Sequence, residues 1–139
     1  MGSTIKSFSS LECFERLVND PNSHLIDVRT KPEWDYVGVP DLSSINKQVT
    51  FVSWQIYPEM TINKFFENQV LRANINKTNN LFFICRSGWR SLNAAKFLTS
   101  SGFTNCFNVS DGFEGKINQD GNRSLVDGWQ FNNLPWRQE

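Results

Sequence analysis

Hydrophobic residues along the chain follow two patterns, which together predict strands that alternate with helices. Apolar runs occupy residues 24–28, 81–85 and 106–109, and residues 49–54 have strand composition. The run at 81–85, Leu-Phe-Phe-Ile-Cys, is apolar throughout, which is typical of a strand buried on both faces.

Segments with helical spacing lie between these runs. Residues 9–12 match a capping box, with Glu12 at the third helical position after Ser9. The helix that follows is predicted to end near 19–21 and to bury a face made of Leu11, Phe14, Leu17 and Val18. Four further helices are predicted. A short one starts at 30–34, and a second runs to about Ala73 with Ile62, Phe65, Phe66 and Val70 on one face. A third has Leu92, Ala95 and Leu98 on one face and ends at 100–102, and a small fourth helix lies at 127–132.

This order of elements predicts an α/β fold. Strands separated by helices imply right-handed crossovers, and therefore a mainly parallel central sheet, here of about five strands, with helices on both faces. A chain of 139 residues fits a single domain. We expect a core at about 4–115 and a C-terminal extension, 116–139, that packs on it. Ligands of such sheets bind at the carboxyl ends of the strands.

Composition and charge exclude several classes of function. Fourteen basic residues balance fourteen acidic ones, whereas a nucleic-acid-binding protein normally has a basic excess. No apolar stretch approaches the roughly 18 residues of a membrane span, and the start of the chain lacks the apolar core of a signal peptide. Three cysteines without a secretory context favour free thiols in a reducing compartment. We therefore expect a cytoplasmic protein that binds neither nucleic acid nor membranes.

The candidate chemistry lies at residues 85–91, Cys-Arg-Ser-Gly-Trp-Arg-Ser, between a buried strand and a helix. This position places the Cys85 thiol at the carboxyl edge of the sheet. The N-terminus of the helix supplies free N–H groups and partial positive charge. Arg86 and Arg90 add two full positive charges. All of these favour a thiolate at Cys85 over a thiol.

The other residues of this loop complete the prediction. Gly88 allows a tight turn, and Ser87 and Ser91 offer hydroxyl donors. Consecutive N–H groups that fold around the sulfur would form an anion-binding nest. A thiolate in such a nest is a nucleophile, and the same donors stabilise the anion that it then carries.

At this point the sequence resembles the rhodanese-like family, in particular bacterial single-domain sulfurtransferases. The resemblance covers nearly the whole chain. It rests on residues 25–29, 33–34, 83–91 and 108–115, and on the tail at 128–136. The loop around Cys85 is its most specific part.

The resemblance implies an enzyme of the thiosulfate sulfurtransferase type, in which Cys85 is the nucleophile that accepts a sulfane sulfur as a persulfide. The donor is a small anion such as thiosulfate, and the acceptor is a thiol, cyanide or a protein sulfur carrier. No cofactor and no metal are expected. The residues that hold the outer sulfur and attract the donor are then Arg86, Ser87, Gly88, Trp89, Arg90 and Ser91, with Arg90 expected to make the steadier contact.

Two other functions stay open. Cysteine-dependent phosphatases and arsenate reductases also use a cysteine, an arginine and an N–H cradle, but they place five residues between the two side chains. Only four separate Cys85 from Arg90, and one residue spans up to about 3.5 Å. The second alternative is a non-catalytic rhodanese-like binding or regulatory module, although such a module would not require Cys85.

Several further residues are expected to be structural. Asp27, Arg29 and Glu33 are supporting candidates, with Arg29 expected to pair with Glu33. Cys13 and Cys106 are expected in the core. We expect His24 at the surface, Trp54, Trp129 and Trp136 as packing anchors, and Asp111, Glu114 and Asp120 in a solvated turn without metal-site spacing.

Overall fold

A computed structural model describes residues 4–138, so Met1–Ser3 and Glu139, at the two ends of the predicted single domain, lie outside the described residues. The helices are α1 (Ser10–Asn19), α2 (Lys31–Tyr36), α3 (Phe66–Leu71) and α4 (Trp89–Ser100), with a 3₁₀ turn at Ser43–Ile45. The strands are β1 (Lys6–Phe8), β2 (Ser23–Asp27), β3 (Val39–Pro40), β4 (Thr50–Phe51), β5 (Gln55–Ile56), β6 (Thr61–Ile62), β7 (Asn80–Ile84), β8 (Cys106–Val109) and β9 (Trp136–Arg137). No helix within 4–138 has the length and hydrophobicity needed to cross a bilayer.

The central sheet has five parallel strands in the order β1-β8-β7-β2-β4, which confirms the predicted fold class. Strand β7 lies in the middle, and Asp27 at the end of β2 is in register with Ile84 at the end of β7. Two antiparallel pairs, β3–β9 and β5–β6, flank this sheet. The carboxyl ends of β2 and β7 thus meet at one edge, where the site residues follow.

Helices cover both faces of the sheet. On one face, α3 and α4 pack against Phe83 and its neighbours. On the other face, α1 and the C-terminal segment pack against Phe82. Successive strand residues point to opposite faces, so a continuous apolar run in β7 serves both layers.

The C-terminal segment differs from the prediction. Residues 127–132 form turns rather than a helix, because the N–H of Trp129 donates to Gly112 O and that of Gln130 to Phe113 O. Trp129 is fully buried, and its indole N–H donates to Pro135 O. The tail is therefore fastened to the segment that follows β8 as well as by turn bonds within itself.

Helix α1 has the predicted capping box, but it buries a different face. Its buried residues are Ser10, Cys13 and Leu17, whereas Leu11 and Val18 are about half exposed. The cause is Asp111, which accepts hydrogen bonds from the Ser10 N–H and hydroxyl, both at 2.8 Å. Asp111 is thus a structural anchor and not a residue of a solvated turn.

Helix α3 starts later than the spacing predicts. Ile62 lies in strand β6 and Phe65 is exposed, so only Phe66 and Val70 of the predicted face are buried. The Asn63 carboxamide oxygen accepts from the Phe65 N–H at 3.0 Å and holds a turn that delays the helix.

The observed face of α1 predicts unequal effects at two neighbouring positions. Leu17→Ala should lower the free energy of unfolding by about 2–5 kcal/mol, because Leu17 is fully buried. Val18→Ala is the matched control and should change it by about 0.5 kcal/mol or less. Urea unfolding of both variants measures this, and equal losses would contradict the observed packing.

Candidate functional site

Cys85 directly follows β7 and lies at the carboxyl edge of the sheet. Its side chain is buried, with 1 % of the residue exposed. The Gly88 N–H donates to Sγ at 3.2 Å, and the Ser91 hydroxyl oxygen lies 3.1 Å from Sγ. Since α4 begins at Trp89, the sulfur faces the N-terminus of a helix, where donors are free and the dipole favours negative charge.

The curl of this loop depends on Gly88. Its φ is +107°, and a Cβ there would lie 2.5 Å from Ser110 O. Only glycine combines this backbone conformation with so close an approach. The loop therefore brings an N–H to the sulfur at the one position where a side chain would prevent it.

The segment after β8 supports the loop from outside. The Phe113 N–H donates to Cys85 O at 2.8 Å, and the N–H groups of Glu114 and Gly115 donate to Arg86 O at 3.0 and 3.1 Å. These bonds engage the carbonyl oxygens of Cys85 and Arg86 with donors from another segment. Carbonyl oxygens that faced the sulfur would oppose a negative charge on it, so this support favours an anion.

Beneath the loop lies a buried polar connection that sequence reasoning missed. The Ser91 hydroxyl donates to Asn108 Oδ1 at 2.6 Å, and Asn108 Nδ2 donates to Gly88 O at 3.2 Å. Asn108 lies in β8 and is 4 % exposed. A carboxamide within an otherwise apolar strand was the available signal, because such a group needs buried partners.

Asp27 and Arg29 form a buried pair near the same edge. The Arg29 Nε and Nη2 atoms donate to the Asp27 carboxylate at 3.0 and 2.8 Å, and both side chains are fully buried. Nη2 also donates to Gly38 O, and the guanidinium lies over the Phe113 ring at 4.3 Å. The prediction that Arg29 pairs with Glu33 is wrong, because the Asp27 carboxylate at the end of β2 is within reach of Arg29 and Glu33 bonds to another residue.

Glu33 bonds to Arg90. Two N–H···O bonds of 2.6 and 2.9 Å join the guanidinium to the carboxylate, which also accepts from the Thr30 N–H at the start of α2. Burial disfavours the charge on Glu33, but the hydrogen bonds and charge of Arg90, with Thr30, outweigh it and lower the pKa of Glu33 to about 2. This pair links α2 to the first turn of α4.

Arg86 is the more exposed and the more weakly paired of the two arginines. Its side chain is 48 % exposed, and its Nε lies 3.6 Å from a Glu114 carboxylate oxygen. A cavity of about 520 Å³ lies over this part of the surface, lined in part by Arg86, Arg90, Glu33, Glu114, Tyr57 and Met60. A small anion entering it would meet the Arg86 guanidinium, whereas the Arg90 guanidinium is already paired.

The predicted site residues thus fall into three groups. Cys85, Gly88 and Ser91 meet at the sulfur, and Arg86 and Arg90 line the cavity. Ser87 is half-buried within the loop, and Trp89 projects from the start of α4 with 74 % of its surface exposed.

The remaining titratable candidates lie apart from this site. Cys13 and Cys106 are in the core, as predicted, and burial raises the pKa of both thiols. His24 is half-buried rather than at the surface, and burial lowers its pKa. Within residues 4–138, no group of three or more His, Cys, Asp or Glu side chains is arranged to hold a metal ion.

Comparison with known proteins places this geometry in a family. A protein-family model described as the STR4 middle domain matches residues 5–139. The chain belongs to the STR4 middle domain family. Its architecture is a rhodanese-like fold, which agrees with the resemblance drawn from the sequence.

Three relatives of this family member show how far the similarity extends. The uncharacterized protein RC0915 of Rickettsia conorii is 44 % identical over 135 residues, which cover 96 % of this chain and 98 % of that protein. The crystal structure of Rv0390 from M. tuberculosis has a TM-score of 0.89 and 41 % identity, covering 99 % of this chain and 100 % of that one. The thiosulfate:glutathione sulfurtransferase of Saccharomyces cerevisiae is 34 % identical over 107 residues, which cover 74 % of this chain and 71 % of the enzyme.

The Glu33–Arg90 pair predicts a specific pH dependence of stability. Because the folded-state pKa of Glu33 is lowered from 4.5 to about 2, its contribution is complete above pH 4.5 and is lost as the pH falls toward 2. Glu33→Gln should therefore be less stable than wild type near neutral pH, and the difference should shrink over that interval.

Urea unfolding across this pH range measures the effect. Arg90→Gln removes the partner and should weaken the same pH dependence. Unfolding free energies of wild type and Glu33→Gln that run parallel from pH 4.5 to 2 would contradict the pairing.

Proposed function

We propose that the protein is a sulfurtransferase that moves a sulfane sulfur from a small anionic donor, such as thiosulfate, to a thiophilic acceptor through a persulfide on Cys85. The observation that carries the proposal is the contact of Sγ with the Gly88 N–H and the Ser91 hydroxyl at the N-terminus of α4. These groups stabilise negative charge at the sulfur without a general base.

In the first half-reaction, the Cys85 thiolate attacks the outer sulfur of thiosulfate. An S–S bond forms between Sγ and that sulfur, the bond from that sulfur to the sulfonate group breaks, and sulfite leaves with the electron pair. The charge of the product lies on the outer sulfur of the persulfide. Main-chain N–H groups of residues 86–91 are the donors available to hold it.

In the second half-reaction, a nucleophile attacks the outer sulfur and expels the Cys85 thiolate. A thiolate acceptor becomes a persulfide, and cyanide becomes thiocyanate, so neither route needs an external oxidant or reductant. A protein sulfur carrier with a terminal thiol satisfies the same balance. The enzyme returns to its starting state after each cycle.

The relative from yeast supports the donor and acceptor classes. Its name states transfer from thiosulfate to glutathione, and the identity of 34 % extends over 107 residues. For this chain we propose a low-molecular-weight thiol as one acceptor. We propose that this molecule enters through the cavity of about 520 Å³ that Arg86 and Arg90 line.

Sulfur loading tests the proposal directly. Treatment with thiosulfate followed by intact-mass measurement should add one sulfur atom to wild type and none to Cys85→Ser. Cys106→Ser is the matched control and should still load, because the Cys106 thiol lies in the core with a raised pKa.

Two other outcomes would contradict the proposal. Release of phosphate from aryl phosphates without any sulfur loading would favour phosphatase chemistry. Absence of both reactions would favour a binding module.

The charges beside the cavity predict opposite effects of two substitutions. Arg86→Gln should lower kcat/KM for thiosulfate by roughly tenfold, because it removes an anion-binding group. Glu114→Gln should raise it, because Glu114 competes for Arg86 and repels the donor, while its main-chain bond to Arg86 O is kept.

Alkylation of Cys85 by neutral iodoacetamide is the control for this pair. It should change little in either variant, because the reagent carries no charge. If Arg86→Gln and Glu114→Gln changed kcat/KM for thiosulfate in the same direction and to the same extent, Arg86 would have no role in binding the donor.

A further inference from the structure

Three buried side chains form a continuous hydrogen-bonded path behind the reactive sulfur. Sγ of Cys85 lies 3.1 Å from Ser91 Oγ, and Ser91 Oγ lies 2.6 Å from Asn108 Oδ1. The three residues are 1 %, 0 % and 4 % exposed, respectively. No bulk water competes for these bonds, so their donors and acceptors have to match among themselves.

The orientation of the Asn108 carboxamide is fixed by its second contact. Gly88 O is a carbonyl oxygen and only accepts, so the NH₂ group of Asn108 has to face it, at 3.2 Å. Oδ1 therefore faces Ser91. Because Oδ1 also only accepts, Ser91 is the donor in that bond.

A serine hydroxyl has a single proton, so Ser91 donates a hydrogen bond to only one acceptor at a time. When that proton points to Asn108, the contact between Sγ and Ser91 Oγ needs a proton on the sulfur, and Cys85 is a thiol. When Cys85 ionises, Sγ only accepts. The Ser91 proton then has two competing acceptors, the thiolate and the Asn108 carbonyl oxygen, and the charged one binds it more strongly.

We infer that Asn108 is a positioning residue that acts on the sulfur through Ser91. In the thiol state the carboxamide holds the Ser91 hydroxyl proton, and when charge is on Sγ the hydroxyl rotates and donates to the sulfur. Only the S–H bond of Cys85 breaks, its proton leaves to water, Ser91 keeps its own proton, and no electrons are transferred. The inference rests on the proposed function of Cys85 as the sulfur carrier.

This exchange follows the charge through the catalytic cycle. Charge lies on Sγ before the donor is attacked and again when the acceptor expels the cysteine sulfur, and in both states Ser91 donates to Sγ. In the persulfide, the charge lies on the outer sulfur, Sγ has no proton, and Ser91 donates to Asn108 without a hydrogen bond to Sγ. Each time the hydroxyl turns to Sγ, the buried Asn108 oxygen loses its partner, so Asn108 limits how strongly the thiolate is stabilised.

Two substitutions are therefore expected to act in opposite directions. The readout is the rate of Cys85 alkylation by iodoacetamide near neutral pH divided by the rate at about pH 10, a ratio in which differences in the access of the reagent to the sulfur cancel. Ser91→Ala should lower this ratio by about tenfold, because it removes the donor to the thiolate. Asn108→Leu should raise it several-fold, because the hydroxyl then has no competing acceptor.

The double variant separates positioning from a general effect on the loop. If Asn108 acts through Ser91, Ser91→Ala/Asn108→Leu should give the same ratio as Ser91→Ala alone. A lowered ratio in Asn108→Leu, or an equal change from Asn108→Leu with and without Ser91, would overturn the inference.

A second measurement, the infrared S–H band, does not need a substitution at Asn108 and covers the case in which Asn108→Leu does not fold. The infrared S–H stretching band of Cys85, identified as the band missing in Cys85→Ala, should lie at lower frequency in wild type than in Ser91→Ala, because the thiol donates to Ser91 Oγ. Bands at the same frequency would overturn the inference. Failure of sulfur loading with the expected alkylation ratios would contradict the proposed function alone.

Discussion

The bonds that fasten the segment after β8 to the loop after β7 hold the rest of the site in place. Cys85 O and Arg86 O accept three N–H donors from residues 113–115, and this holds both carbonyl oxygens against that segment. The Gly88 N–H is then left to face Sγ. A loop of the same sequence without this support would be free to turn a carbonyl oxygen to the sulfur, and the proposed stabilisation of negative charge there would be lost.

The supporting segment is itself anchored by buried polar groups rather than by apolar packing alone. Asp111 accepts from Ser10 and also from the Gly128 N–H, so it joins α1 and the C-terminal tail to the end of β8. Phe113 packs under the buried guanidinium of Arg29, whose carboxylate partner ends β2. These connections couple the layer formed by α1 and the C-terminal segment, and the end of β2, to the position of one sulfur atom.

Much of this architecture could be predicted from the sequence. The apolar runs of β2, β7 and β8 and the capping box of α1 are local signals, and the structure has all of them. Strand β4 lies within 49–54, which has strand composition, whereas β1 and the other two-residue strands are too short for any periodicity. The turns of the tail depend on long-range bonds to Gly112 and Phe113 that no local pattern reveals. The position of Cys85 on a strand-to-helix turn was similarly local and therefore predictable.

The partners of the charged residues could not be predicted in the same way. Arg29 has carboxylates two and four residues away in sequence, at Asp27 and Glu33, and only the meeting of α2 with α4 decides that Glu33 bonds to Arg90. Asn108 gave a weaker signal, since a carboxamide in a strand shows a need for partners but not which ones. Spacing along the chain thus located the candidate cysteine, whereas tertiary packing determined what surrounds it.

The central claim is that Cys85 carries a transferable sulfur within a cradle of main-chain N–H groups. A high-resolution crystal structure of the thiosulfate-treated protein tests it most directly. The account predicts one additional sulfur atom bonded to Cys85 Sγ and within hydrogen-bonding distance of the N–H groups of residues 86–91. An unmodified Cys85, or an added sulfur that faces away from these groups, would contradict it.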